Sequence, residues 1–260
     1  MQKAQQAPHV EGTREREVVE AHYRRLGKDY NQFLYYSAEF VRALTSKMIE
    51  ELELAPKDRF VDLGCGTAMY TLDILKQIRL EQPVLGVDPF PEMLQNIPQD
   101  APVLRLAMDA LAFSRRPETY DKILIKEAVH HISQREELFR NLYQRLTPGG
   151  ILLLVHVPPK VHYPLFDRAL QRCERWHADP DELTVQLQTA GFRVHRSSLD
   201  YQHAIPKDVY FKMVAGQYMS VLTSFSDEEM KQGLAEMAER YREETVLRFV
   251  DHFDYLKAVR

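Results

Sequence analysis

Phe60-Val61-Asp62-Leu63-Gly64-Cys65-Gly66-Thr67-Ala68 is a short apolar run that ends in an acid and two glycines and leads into a segment of helical character. It predicts a strand, a tight turn and a helix start. Glycines at such a turn let the backbone take angles closed to other residues and come close to a ligand, as in nucleotide-binding βαβ units. The spacing departs from a dinucleotide fingerprint. The third small residue belongs three places after Gly66, where Met69 stands, and Ala68 comes one place early. Asp62 at the strand end would repel a pyrophosphate but suits a ligand with an ammonium or sulfonium charge. Asp88 ends the next apolar run, Val84-Leu85-Gly86-Val87, where an acid can accept hydrogen bonds from both ribose hydroxyls.

Working outward, strands are predicted over 59–63, 83–88, 102–106, 121–126, 151–157, 192–203 and 251–259, with helical patterns between most of them. This alternation is the signature of a mostly parallel sheet with helices on both faces. Ahead of the first strand, Phe40, Val41, Leu44, Met48, Ile49 and Leu52 recur at helical spacing and should lie on the core. The link from Asp109 to Glu118 is short enough for one turn of helix. Ser133-Gln134-Arg135-Glu136 reads as a capping box opening a helix that Thr147-Pro148-Gly149-Gly150 stops, and Ser226-Asp227-Glu228-Glu229 as a second box. Helices are also expected over 166–176 and 181–190.

Five ordered stretches, Val61 to Thr67, Gly86-Val87-Asp88, Met108-Asp109-Ala110, Tyr120 to Ile125 and Leu146 to Gly150, together resemble the motifs of class I S-adenosylmethionine (SAM) dependent methyltransferases. The resemblance spans roughly residues 37–200 and the last strand. It implies an α/β, Rossmann-like seven-stranded sheet with helical lid elements, SAM as cofactor and S-adenosylhomocysteine as its product. It also implies that Asp62, with Gly64, Cys65, Gly66 and Thr67, holds the methionine part, that Asp88 holds the ribose and that Met108, Asp109 and Ala110 read the adenine. The alternative for Asp109 is a plain helix cap. Pro89 and Met93 would offer apolar faces to the ring. In the family, aromatic residues before the first strand cover the cofactor, which points to Tyr30 and Tyr35. The segment after the fourth strand, Lys126-Glu127-Ala128-Val129-His130-His131, faces the site, so His130 or His131 is a candidate base for an acceptor that must lose a proton. Lys126 departs from the family's usual small or apolar residue. It either pairs with Glu127 or another acid, or marks an anionic group of the substrate.

His156, His162, Tyr163, Trp176 and His203 follow strand-end positions and are candidate acceptor contacts. The 206–245 segment is an insertion relative to a plain member of the family and carries Tyr210, Met213 and Tyr218. A long structured connection of this kind is often a lid or binding element; a dimer contact is its alternative. The domain organisation expected is a disordered 1–13, a helical lid over 14–36, and a methyltransferase domain over 37–260.

A net charge of −4 gives the whole chain no attraction for nucleic acid or an anionic membrane. Two cysteines, Cys65 and Cys173, make no disulfide framework and fit a reducing cytoplasm. No metal-ligand spacing and no Asn-Pro-Pro-Tyr or Pro-Cys element is present, which favours a small-molecule methyl acceptor, with the chain a monomer or homodimer. The rival functions are a catalytically silent SAM-binding subunit, a nucleic acid or protein methyltransferase and, weakest, a nicotinamide oxidoreductase.

Overall fold

Apolar residues alternate across the central strands, and this alternation fixes two cores, one on each face of a sheet. The computed structural model describes residues 37–260; the expected N-terminal lid, with Tyr30 and Tyr35, lies outside the described residues. The strands are β1 (Phe60–Leu63), β2 (Val84–Asp88), β3 (Val103–Ala107), β4 (Tyr120–Lys126), β5 (Leu146–His156), β6 (Arg193–Pro206) and β7 (Val246–Val259). They form one seven-stranded sheet in the order β3-β2-β1-β4-β5-β7-β6. β1 to β5 pair in parallel, and β7 runs antiparallel to both β5 and β6. The order reverses between β1 and β4, where a crevice opens at the carboxyl ends of the strands.

The helix before β1, α1 (Ala38–Leu52), presents Phe40, Leu44, Met48 and Leu52 to Phe60, Leu124, Leu153 and Val155 on one face. Val61, Leu63, Ile123, Ile125, Leu152 and Leu154 point to the other face. There they meet helices of the second half, as given below. Between β1 and β2 runs α2 (Met69–Gln77), tied to α1 by Thr45 Oγ1, which donates to Asp73 Oδ2 at 2.6 Å, and by Gln77 Nε2, which donates to Thr45 Oγ1 at 2.7 Å. The short α3 (Pro91–Leu94) and α4 (Ala110–Ser114) follow β2 and β3.

α5 (Arg135–Arg145) buries Leu138, Phe139 and Leu142 on the second face, each side chain contributing about 1.5–3 kcal/mol over leaving it exposed. Its start differs from the expected capping box: the cap residue is Gln134 and makes no side-chain bond, while Glu136 and Glu137 sit in the first turn, where the helix dipole favours acids. β5 also begins earlier than expected. Leu146 pairs with Tyr120, the register shifts, and Ile151 pairs with Lys122. The glycine stretch is thus taken up as a bulge inside the strand, with Gly149 at φ +77°.

After β5 come α6 (Asp167–Trp176) and α7 (Pro180–Thr189), the latter capped by Asp179 and placing Leu183 and Leu187 on the second face. Between β6 and β7 lie α8 (Lys207–Ala215), a 3-10 turn Ser220–Ser224 and α9 (Asp227–Arg240). The Ser226/Glu229 box caps α9 with both of its bonds. β7 starts at Val246 rather than at Asp251, because its first residues continue a two-stranded ladder with β6 out to the Pro206↔Val246 pair. No helix among the described residues is long and apolar enough to cross a membrane.

Candidate functional site

The turn after β1 is folded back onto the end of β2. Gly64 N and Cys65 N both donate to Val87 O, at 2.7 and 3.0 Å, and Gly66 N donates to Asp88 Oδ2 at 2.9 Å. Gly64 sits at φ +85°, and a Cβ there would stand 2.6 Å from the Ala128 Cβ, so only glycine fits against this methyl group. Asp88 Oδ1 accepts from Phe90 N. Asp62 is held from the other side, accepting a bond from the Thr71 hydroxyl on α2. Both carboxyls are buried, and burial pushes each up to about 6, the Asp88 charge adding to the effect on Asp62. Burial, then these two acids, holds the Cys65 thiol well above its ordinary range, which disfavours the thiolate.

Around this turn lies a cavity of about 860 Å³. Its walls bring together Asp62, Gly64, Cys65, Gly66, Thr67, Asp88, Pro89, Met93, Met108, Asp109, Ala110, Lys126, Glu127, His130, His131 and Trp176 from the residues singled out in the sequence. Asp109 does cap α4, accepting from Ala112 N at 2.9 Å, and is exposed to the cavity as well. Two buried carboxyls next to a close-packed backbone turn are hydrogen-bond acceptors that fit a cationic ligand carrying hydroxyls.

A second chamber of about 120 Å³ lies deeper, and Met69, Tyr70, Lys126, Glu127 and His130 form the wall common to both. Glu127 has left-handed backbone, φ +51°, which costs a residue with a Cβ about 1–3 kcal/mol. β5 clamps it: its N–H donates to Val155 O, and Oε1 accepts from Val157 N at 2.7 Å. The Lys126 ammonium stands over the Tyr70 ring at 4.1 Å and the Phe253 ring at 5.2 Å. Burial draws it below the usual lysine range, with Glu127, Asp251 and Asp62 opposing. His130 opens onto both spaces with Nδ1 buried, and burial with His131 and His177 nearby pushes it well below the usual histidine range. His131 is exposed and lines the outer cavity alone.

The far wall comes from the β6–β7 ladder and the segment between the two strands: His203, Ile205, Tyr210, Met213, Tyr218 and Asp251. Tyr163 donates its hydroxyl to Asp251 Oδ1, and His203 Nε2 stands 3.5 Å from Asp251 Oδ2. Tyr163, His203, Tyr210, Met213 and Tyr218 therefore gather as the sequence suggested. Two others do not. His162 is exposed and lines neither space, because the inward anchor of Tyr163 turns its neighbour out. His156 is 1% exposed and lies behind the chamber wall, its Nδ1 against Val157 O.

The sequence reading missed Tyr70, Thr71, His177, Phe249, Asp251 and Phe253. A signal existed for one of them: Leu247, Phe249, Asp251, Phe253 and Tyr255 form one row of β7 on the first core, and an acid in an apolar row marks a site.

Residues 61–152 match the model of a methyltransferase domain family. A phosphoethanolamine N-methyltransferase of Arabidopsis thaliana is 27% identical over 57% of this chain and 31% of its own. A demethylmenaquinone methyltransferase of Thermus thermophilus is 34% identical over 42% of this chain and 50% of its own. The chain thus spans half or less of the length of these relatives. Among solved structures, a phosphoethanolamine N-methyltransferase of Haemonchus contortus, crystallised with phosphomonomethylethanolamine and S-adenosylhomocysteine, superposes with a TM-score of 0.55 at 16% identity, over 84% of this chain and 52% of that one. Residues 61–152 thus match a methyltransferase domain family, and the motif order and the seven-stranded Rossmann-like sheet resemble those of class I SAM-dependent methyltransferases.

Proposed function

We propose that the chain transfers a methyl group from SAM to an oxygen, nitrogen or sulfur of a small molecule held in the inner chamber. The observation that carries this reading is the shared wall, which sets a cofactor-sized cavity against a smaller one. Asp62 and the Gly64–Gly66 turn would hold the methionine part, Asp88 the ribose, and Met108, Asp109 and Ala110 the adenine. Bound SAM would supply a methyl group on a sulfonium. Displacement at that carbon needs alignment and exclusion of water more than acid or base. The chain's own contribution is then to present the acceptor through the gap between Tyr70, Glu127 and His130. His130 is neutral at physiological pH and open to both spaces, which suits it to take a proton from the acceptor; His131 is the weaker candidate.

The region between β6 and β7 serves in this reading as the roof of the acceptor chamber. A silent, partner-binding role for it is less well supported: Tyr210, Val214 and Leu222 are fully buried, and the large exposed apolar side chains among the described residues, Leu104, Val185 and Val250, lie elsewhere.

Thermal unfolding in parallel with SAM, S-adenosylhomocysteine, NAD and NADP tests the cofactor. A ligand at 100 times its dissociation constant adds about 2.7 kcal/mol. A raised midpoint with the first two alone is expected, and no shift with either would remove the reading. Asp88→Ala should weaken SAM binding by about tenfold or more.

A further inference from the structure

The inner chamber holds donors without acceptors. Lys126 Nζ makes no hydrogen bond and no ion pair among the described residues; its contacts are the faces of Tyr70 and Phe253. His177 is nine-tenths buried in the same chamber, with neither ring nitrogen bonded to a described residue. The acids are in the opposite condition. Glu127 Oε1 already accepts from the Val157 N–H, and Asp251 accepts from Tyr163 with His203 beside its second oxygen. A buried ammonium with three free N–H groups is costly unless something arrives to accept them.

We propose that the acceptor carries a carboxylate, which enters the inner chamber and pairs with Lys126 Nζ, with the His177 ring as a second hydrogen-bond donor. This rests on the reading of the chamber as the acceptor site and adds the chemical class of the acceptor to it.

Three features select a carboxylate over other groups. Lys126 is the one lysine or arginine on the chamber wall among the described residues, and two acids, Glu127 and Asp251, line the same space. A carboxylate sets its one negative charge against Lys126, whereas a phosphate dianion would put its second charge among acids with no further cation. An amine would meet Glu127 Oε1 and Asp251 Oδ1 already accepting from Val157 N and the Tyr163 hydroxyl, and would stand beside the Lys126 ammonium. The remaining walls, Val157, Ile205, Met213, Val221 and Phe249, are apolar. At about 120 Å³, the chamber takes one ring or a short branched chain, as cavities of similar size take benzene. The acceptor is therefore a small aromatic or branched acid whose reacting atom faces the gap to the outer cavity.

Trp176, the chain's single tryptophan, donates from Nε1 to Ser220 Oγ on the chamber wall at 3.2 Å, so its fluorescence reports on occupancy. Titrations with benzoate, benzamide, benzylamine and phenyl phosphate should be run on the full chain with and without saturating S-adenosylhomocysteine. Benzoate is expected to bind about tenfold or more tighter than each of the others, with that preference lost in Lys126→Met and largely kept in Lys126→Arg. Equal or better binding of benzamide or benzylamine, tighter binding of phenyl phosphate, or no benzoate binding at millimolar concentration overturns the proposal. Failure of S-adenosylhomocysteine to bind, with the benzoate preference intact, would instead remove the cofactor reading and leave a carboxylate site.

Discussion

The Thr71 hydroxyl on α2 donates to the Asp62 carboxylate at the end of β1, so the first helix after the glycine turn is bonded to the acid beneath that turn. Asp62 is 4% exposed, and this bond opposes the rise that burial imposes on its carboxyl. Thr71→Val keeps the shape and removes the donor. The variant should lose about 1–3 kcal/mol in urea unfolding at pH 7, and less at pH 5, where Asp62 is protonated and the bond is between neutral groups. Equal losses at both pH values would show that Asp62 is not the partner that matters.

Cofactor affinity should depend on pH through the same pair. Asp62 and Asp88 have an ordinary value of 3.8 and are raised to about 6 in the fold by burial. In the free protein their contribution to stability is fully present below about 3.8 and is lost as pH rises through about 6. A cationic ligand favours the ionised forms, so SAM affinity should increase over that interval. Calorimetry at pH 5 and pH 7.5 should give about tenfold tighter SAM binding at the higher pH, with a smaller change for S-adenosylhomocysteine, which lacks the sulfonium charge. A flat profile for SAM would count against both acids.

His130 and His131 separate by exposure, and their variants should separate by kinetics. With a substrate in hand, His130→Ala should lower kcat by about 100-fold or more while SAM affinity changes little. His131→Ala should have a smaller effect. The wild-type rate should show no inflection at the ordinary histidine value from His130, because burial holds this ring neutral well below it. Normal turnover in His130→Ala would remove it as the base.

Gly233 on α9 lies flat against a ring: a Cβ there would stand 2.5 Å from Phe166 Cδ1 and under 3 Å from two further ring atoms. Phe166 is buried and packs edge-on to Phe225 at 5.2 Å, so it has little room to move. Gly233→Ala gains up to about 1 kcal/mol in helix propensity but overpacks this contact by about 1–3 kcal/mol or more. A net loss in unfolding free energy is expected; a gain would mean that the ring shifts freely.

The cofactor side was legible because its signals are local. β1 and β2 are short apolar runs with Asp62 and Asp88 at or next to their ends, and Asp109 stands just after β3, so order and spacing along the chain brought all three to the outer cavity's wall. The acceptor side was legible only in outline. Tyr163, His203, Tyr210 and Tyr218 were named, yet Asp251, which anchors Tyr163, lies 88 residues away and meets it only through tertiary packing. His177 ends a helix and carries no spacing signal at all. The start of β7 was misplaced because a ladder with β6, rather than its own apolar run, keeps Val246 to Val250 extended. The Ser133 box failed because the 3-10 turn Val129–His131 sets where the chain turns into α5.

The shared wall also divides the gene. Apart from Arg175 and Trp176, the outer cavity is lined by residues 62–135; apart from five residues of that wall, the inner chamber is lined by residues 157–253. The ends of the segment between β6 and β7 are pinned by the Pro206↔Val246 pair and by the Lys207 N–H bonded to Thr245 O. Its interior can therefore drift, lengthen or be exchanged by recombination without moving the glycine turn. A lineage could inherit one half intact and vary the other, leaving Met69, Tyr70, Lys126, Glu127 and His130 as the few positions through which the two histories must agree.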